Sequence, residues 1–528
     1  MAVLVTAPPC VVHEDEQILV VNKPAGLNTH SPSPFAGEGL YEWLRNWEPR
    51  WRSLAIIHRL DKATSGIIVF AKTRIANQSL TEQFTHRRVQ KKYLLLSAKP
   101  PPWNAQRVKS GLMRLGERYA AGEGGELAET SFEYLGCKEG FHLLAAEPLT
   151  GRTHQIRVHA QLQGIPVLGD SLYGGSLFRR VCLHSAEIRF LHPDSQKEAA
   201  YSAEPDFFGD PAFALRKSMI RQEETTAFRI LNGSSDQVAY YLDRWGEFLL
   251  AQTESSETAP VDQAWHGVAG QRCAAGLYHK TLTRHVAKAP AAEAAPRFVF
   301  GTRAPAMFQV RENGVQYEIS FEQGYSVGLF LDQRENRRRL LTNYIAPDFS
   351  VFAGESRTVL NCFSYTCAFS VCAALAGAHT TSLDLSKNYL EWGKRNFQIN
   401  GIDPRTHDFI YGDALDWGPR LAKKGRRFAV IILDPPTFSR GEKGVFQAER
   451  DFGKLVRTFL PLLEPGGVLF AATNAQKFSP ENFLGQIREA VLESQRAVRQ
   501  WQYIPQPIDF PISKEEPADL KTVWMRIS

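Results

Sequence analysis

Apolar and polar positions follow two different rhythms along this chain. Through residues 1 to about 205, short apolar runs such as "QILVVNKP", "LAIIH", "GIIVFAK", "KYLLLSAK" and "FHLLAAEPL" are separated by glycine, proline and charged turns. Runs of this length between turn residues predict strands, and only about 74–86 has the spacing of an amphipathic helix. The expected fold is an α+β region built on a large mixed or antiparallel sheet. From about 206 to 225 the periodicity disappears, which predicts a linker. "FRILNGSSDQVAYYLDRWGEFLLAQ" (228–252) then alternates around turns, the mark of a small β unit within about 226–320. "KAPAAEAAPR" (288–297) reads as a loop.

From about 321 to 528 the rhythm changes to strand, helix, strand. "RTVLNCF", "TTSLDLS", "FAVIILDPP" and "GGVLFAATN" read as buried strands, with "SKNYLEWGKRNFQIN" and "QAERDFGKLVRTFLPLL" as helices. That alternation predicts a doubly wound, Rossmann-like parallel sheet, so the chain is α/β and multidomain. "VLNCFSYTCAFSVCAALAGA" (359–378) is apolar enough to resemble a membrane span. Its Asn, Ser, Tyr and Thr fit strand, loop and helix instead, and no membrane association is expected.

Composition adds little to this picture. Apolar residues make up 43% and charged residues 22% of 528, ordinary globular values that call for two to four domains. The net charge of +6 is too mild to indicate nucleic acid by itself. Three compact basic knots say more: "THRRVQKK" (85–92), "RENRRRL" (334–340) and "KKGRR" (423–427). Each alone reads as solvated surface charge, and together they make a polyanionic partner plausible. Seven scattered cysteines without framework spacing fit a reducing cytoplasm, and with no CxxC pair no metal site is expected. The N-terminus lacks a basic region and holds two prolines, unlike a secretion signal.

Three segments of the first region carry polar residues where strands want apolar ones: "HRLDKATSG" (58–66), "QKKY" (90–93) and "TGRTHQIRVHAQLQGIPVLGDSLYGG" (150–175). In the last, Thr153, Gln155 and Arg157 alternate with His154, Ile156 and Val158, which reads as a strand with one polar face. In order and spacing these segments resemble the RluA-type RNA pseudouridine synthases, over nearly all of 11–205. The S4 RNA-binding domain that often precedes that fold is not expected, because the chain begins almost directly at the catalytic segment. The resemblance implies a reaction without cofactor, in which the uracil N1–C1′ bond breaks, the base rotates and C5 rejoins the ribose. It makes Asp61 the ionised carboxylate beside the ribose, with Arg157 as the cation that holds its pKa down. Tyr93 would stack on the base and take part in proton transfer. Arg59 would hold the target nucleotide out of its helix. Arg87, Arg88, Lys91 and Lys92 would meet phosphates.

In the last region "SYTCAFSVCAALAG" follows the first strand as a nucleotide-cofactor turn would. Strands then end in Asp384 and Asp434, and "YGDALDW" brings Asp413. With "VGLFLDQRENRR" (327–338) upstream, residues 225–528 resemble class I S-adenosylmethionine-dependent methyltransferases of 23S rRNA. Those share GLFLD-x-R, NLFSYTG, YLEWA-x-x-N and DPPTFS motifs. The resemblance implies S-adenosylmethionine as cofactor, held by Asp332, Arg334, Phe363, Ser364, Tyr365 and Thr366. It adds Asp384, Leu385, Asp413, Ala414 and Asp434 to that set. One departure stands at Cys367, where the family has glycine; a small side chain is expected to preserve binding, weakened or not.

Methylation of cytosine C5 needs a cysteine nucleophile, and no cysteine follows Cys372. A base nitrogen needs only positioning by Asp434 and a stacking surface, for which Phe438 is the candidate. "DPPTFS" matches the guanine-N7 branch. The sequence therefore reads as a two-headed enzyme acting on structured RNA, 23S rRNA or a ribosome assembly intermediate, of undetermined oligomeric state. Two alternatives stand beside it: a pseudouridine synthase joined to a catalytically silent, RNA-binding methyltransferase fold, and a tRNA substrate for the isomerase.

Overall fold

The computed structural model describes residues 6–254, 274–282, 295–441, 444–513 and 517–528. The loop expected at 288–297 lies mostly outside the described residues. The chain divides into two compact units, one of Ala7–Pro32 with Glu38–Arg221, the other of Gln222–Ser528 with two short N-terminal segments.

The first unit is built on an 11-stranded sheet. All its pairings are antiparallel except one, where Leu183–Leu191 runs parallel to Ser65–Ala71. The parallel contact is brief, joining Ser65 and Gly66 to His184 and Ser185. Gly66 has φ +116°, and a Cβ there would stand 2.2 Å from the Ser185 carbonyl oxygen. No other residue fits, which explains the glycine that closes "HRLDKATSG". The amphipathic segment forms the helix Arg74–Thr85, started by Thr73, whose hydroxyl accepts from the Ala76 N–H.

Two expectations are corrected here. The alternating stretch around Arg157 is not a strand but the helix Gln155–Leu162. His154 at φ +57° breaks the extended run, and Gln155 through Ala160 are all buried, so the helix has no solvent stripe to betray a 3.6-residue period. The stretch read as linker holds the helix Pro211–Met219, which Asp210 caps through the Ala212 and Phe213 N–H groups.

In the second unit a five-stranded sheet covers Ala227 to Gly301, followed by the hairpin Phe308–Glu312 and Val315–Ile319. A seven-stranded sheet comes next. Its spatial order is Asp408–Tyr411, His379–Asp384, Thr358–Cys362, Phe428–Leu433, Leu463–Thr473, Lys521–Ile527 and Val498–Pro505. The first five are parallel, and Lys521–Ile527 inserts antiparallel between Leu463–Thr473 and Val498–Pro505. Val430 and Ile432 enter one apolar core, Ile431 and Leu433 the other, as a sheet buried on both faces requires. Strand order reverses between Thr358–Cys362 and Phe428–Leu433, so a crevice opens at their carboxyl ends. Among the described residues no helix is long and apolar enough to cross a membrane.

Candidate active sites

A cavity of about 880 Å³ lies in the first unit and gathers all three polar segments. Asp61, Tyr93 and Arg157 line it, with Arg59, Arg87 and Lys91. Arg157 is buried and reaches Asp61 Oδ2 with Nη1 at 3.5 Å. Its main partner is another carboxylate, Asp170, which accepts from Nε at 2.6 Å and from Nη2 at 2.8 Å. The Tyr173 ring lies 4.9 Å from the guanidinium carbon. Arg157 is therefore fixed in a bidentate clamp, and only its third nitrogen is turned toward Asp61.

Further side chains that sequence reasoning passed over complete the surroundings of Asp61. His154 Nε2 stands 3.8 Å from Asp61 Oδ2. Tyr173 Oη accepts from the Tyr119 N–H at 2.9 Å and meets His154 Nδ1 at 2.7 Å. Burial pushes the His154 imidazole below its usual range, which favours the neutral ring. Lys23 is fully buried and donates to the carbonyls of Pro24, Leu27 and Lys62 at 3.0, 2.7 and 3.3 Å. Burial pushes its ammonium down to about 7 although Asp61 opposes the shift. Thr29 accepts from the Leu60 N–H and donates to the Leu60 carbonyl, so the loop bearing Asp61 is pinned on both sides. His58 is a half-buried acceptor for the Val69 N–H.

Tyr93 sits on the strand Gln90–Ser97, buried, and desolvation pushes its phenol up to about 12. Lys91 shares its face, since side chains two apart on a strand point the same way, and burial pushes that ammonium down to about 8. Lys92 lies on the opposite face and does not line the cavity. Arg88 does not line it either; it is exposed near Glu82 at 3.8 Å. Arg59 is exposed, with Nη1 3.3 Å from His30 Nε2.

The second constellation occupies the crevice at the carboxyl ends of the parallel strands. Phe363, Tyr365 and Cys367 all have positive φ, +58°, +49° and +61°. Asp384 accepts from the Tyr365 N–H and the Ser386 N–H, each at 2.8 Å, and Leu385 beside it is exposed. Burial raises the Asp384 carboxyl above its usual range. Thr366 donates to the Gly328 carbonyl at 2.6 Å, and the Ser364 N–H donates to the Leu383 carbonyl. Among the described residues Tyr365 Oη is buried without a hydrogen-bond partner, a polar atom that a bound ligand could satisfy. Asp413 caps the helix Ala414–Lys423 through the Leu415 N–H, and Ala414 is buried. Phe438, 48% exposed, starts the hairpin strand Phe438–Gly441.

The Cys367 side chain is fully buried, and the structure explains how the turn admits it. A Cβ on Gly393 would stand 2.4 Å from Cys367 Sγ and 2.9 Å from its Cβ. Where the family motif has YLEWA, this chain has YLEWG, and the missing methyl leaves the room that the thiol fills. Asn396, one helical turn on, donates to the Thr366 carbonyl at 2.9 Å and holds helix and turn together.

The basic knot at 334–340 is corrected from a surface feature to an internal one. Arg334, Arg337, Arg338 and Arg339 are all buried in the helix Arg334–Thr342. Arg334 pairs with Asp509 at 2.6 and 2.8 Å, and Arg337 pairs with Glu312 at 2.6 and 2.7 Å. Arg338 pairs with Glu335 at 3.2 Å. The guanidinium of Arg334, expected at the cofactor, is engaged by that carboxylate pair. Asp332, just before this helix, has its carboxyl raised by burial. Asp434 ends its strand with Oδ2 accepting from Gln333 Nε2 at 3.0 Å, and burial together with Asp332 pushes its carboxyl up to about 7.

Comparison with known proteins agrees with this division. Residues 17–162 match the RNA pseudouridylate synthase family and residues 253–526 the S-adenosylmethionine-dependent methyltransferase family. The chain is 30% identical over 347 residues to a ribosomal RNA large subunit methyltransferase of Deinococcus radiodurans, covering 64% of this chain and 83% of that protein. It is 37% identical over 207 residues to ribosomal large subunit pseudouridine synthase C of Vibrio cholerae, covering 36% of this chain and 63% of that protein. The solved structure of SMU.776 complexed with SAH aligns with TM-score 0.50 at 29% identity, over 57% of this chain and 76% of that one. The crevice built from Asp384, the Ser364–Thr366 turn and Asp434 thus belongs to a fold that takes S-adenosylmethionine. The chain belongs to the S-adenosylmethionine-dependent methyltransferase family and carries an RNA pseudouridylate synthase domain ahead of that fold.

Proposed function

We propose that this chain modifies ribosomal RNA twice, isomerising a uridine with its first unit and methylating a base nitrogen, guanine N7, with its second. The observation that carries the first half is Asp61 in a cavity beside an arginine that Asp170 holds in place. A carboxylate facing a fixed cation is held in place, as attack on the ribose or removal of its proton demands. The base leaves C1′, turns and bonds again through C5, while the C5 proton passes to solvent and N1 gains one; nothing is oxidised or reduced. Tyr93, with its phenol pushed up to about 12, suits stacking on the base better than accepting a proton. Arg59, Arg87 and Lys91 at the cavity are the cations for the phosphates around the target nucleotide.

For the second half, the absence of any cysteine after Cys372 argues against C5 chemistry. Guanine N7 has its own lone pair; it takes the methyl group from the sulfonium, and the positive charge passes to the purine without loss of a proton. S-adenosylmethionine supplies that methyl group, and the chain's part is to hold base and donor in line. Ribosomal RNA as substrate is supported by the relatives of both halves.

The test is nucleoside mass spectrometry with site mapping of 23S rRNA from cells with and without the gene, together with tritium release from [5-³H]uridine-labelled rRNA. Asp61→Asn should abolish tritium release and retain RNA binding; undiminished release would sink the isomerase assignment. Asp434→Ala should remove the methyl mark and leave pseudouridine in place.

A further inference from the structure

Gln333 stands between Asp332 and Arg334, and no motif reading gives it a task. Its side chain is buried and both its polar atoms are engaged. The contacts begin at Trp524, fully buried on the strand Lys521–Ile527. An indole N–H can only donate, and it donates to Asn336 Oδ1 at 3.0 Å. That settles which end of the Asn336 amide is oxygen, a choice otherwise open. The nitrogen end, Nδ2, then faces Gln333 Oε1 at 2.8 Å and Thr522 Oγ1 at 3.3 Å. Thr522 spends its own proton on the Ile504 carbonyl at 2.6 Å, so its oxygen is an acceptor here, as the same orientation requires. With Oε1 of Gln333 accepting, Nε2 is the end that donates to Asp434 Oδ2 at 3.0 Å. Each link is forced by the one before it.

We propose that Trp524, Asn336 and Gln333 form a relay of fixed polarity that positions the Asp434 carboxyl. Oδ2 is held inward, and Oδ1 carries the proton offered to the purine acceptor beside the methylated nitrogen. The proposal rests on the methyl-transfer reading above and adds to it how the base is told apart. Guanine presents O6 and N7, two acceptors, on that edge, whereas adenine presents the N6 donor where O6 would be. A donor at Oδ1 selects guanine and repels adenine's amino group. Oδ2 already accepts from Gln333, so a proton on the carboxyl resides on Oδ1. The charged groups facing Asp434 are Asp332, which favours the protonated form, and Arg337, which opposes it and is itself paired with Glu312.

The relay is tested with full-length protein, S-adenosylmethionine and 23S rRNA transcribed without modifications. Gln333→Met keeps the length of the side chain and removes the donor. Wild-type methyl transfer should fall as pH rises through about 7, following Asp434. In Gln333→Met the ionised carboxyl loses a hydrogen bond, so this limb should move to higher pH, while kcat falls roughly 10- to 100-fold and cofactor affinity by calorimetry changes little. Trp524→Phe, which frees the Asn336 amide to turn over, should shift the limb in the same direction by less, and it serves should Gln333→Met not fold. A limb that stays in place in the folded variants, or a wild-type rate that rises through pH 7, overturns the relay. Those results are distinct from failure of the underlying reading, in which wild type adds no methyl group or Asp434→Ala still does.

Discussion

The two candidate carboxylates, Asp61 in the first unit and Asp434 in the second, stand in opposite electrical surroundings. Asp61 faces an arginine nitrogen at 3.5 Å and a neutral histidine at 3.8 Å, and a buried lysine secures the loop that carries it. Asp434 has a second carboxylate, Asp332, as neighbour and a neutral amide as its hydrogen-bond donor, and burial with that neighbour pushes its carboxyl up to about 7. One aspartate faces a fixed cation, the other a second carboxylate and an amide donor. The residue type is shared; the task is set by what was folded around it.

The comparison breaks most decisively at Asp170. Asp170→Ala strips the buried Arg157 of its bidentate partner, so the first unit should lose about 3–5 kcal/mol and isomerisation should vanish with it. Denaturant unfolding followed alongside tritium release checks this, and the methyl mark should persist. Next is Gly393→Ala, which drives a methyl group into the Cys367 thiol; the overpacking should cost about 1–3 kcal/mol and weaken cofactor binding, read by calorimetry. Adding Cys367→Gly to it should recover most of the loss, which a thiol with no steric tie to Gly393 would not allow.

The third prediction concerns pH. The folded-state pKa of Asp434 lies above its ordinary value of 3.8, so its contribution to stability is complete below about pH 4 and is lost as pH rises through about 7. Asp434→Asn should flatten that decline in a thermal-melting series from pH 4 to 8. The smallest effect separates two adjacent lysines. Lys91→Ala should weaken RNA binding in a filter assay at low salt, and Lys92→Ala, on the far face of the strand, should change it by less than about 0.5 kcal/mol.

Most strands were readable because runs such as "GIIVFAK" and "FAVIILDPP" are buried on both faces and bounded by turn residues. Asp61, Tyr93 and Arg157 were singled out by the resemblance their three segments carry, and one cavity gathers all three. The helix Gln155–Leu162 was not, since its first six residues are all buried and carry no amphipathic period. Asp170 was visible within "GDSLYGG" but had no role until the fold brought it back to Arg157. The arginines at 334–339 misled for the opposite reason: a dense positive run reads as surface until the carboxylates it meets, Glu312 and Asp509, are seen in space. Gln333 could not be found by charge at all, because its importance lies in the direction of an amide.

The pairing of Arg337 with Glu312 bears on where this protein can be cut. Glu312 belongs to the hairpin Phe308–Ile319, ahead of the Rossmann-like sheet, and both partners are almost wholly shielded from water. A fragment severed at residue 321 would keep the cation and discard the anion. The small β unit is thus no detachable accessory: it is the counterweight without which the neighbouring fold cannot be transplanted.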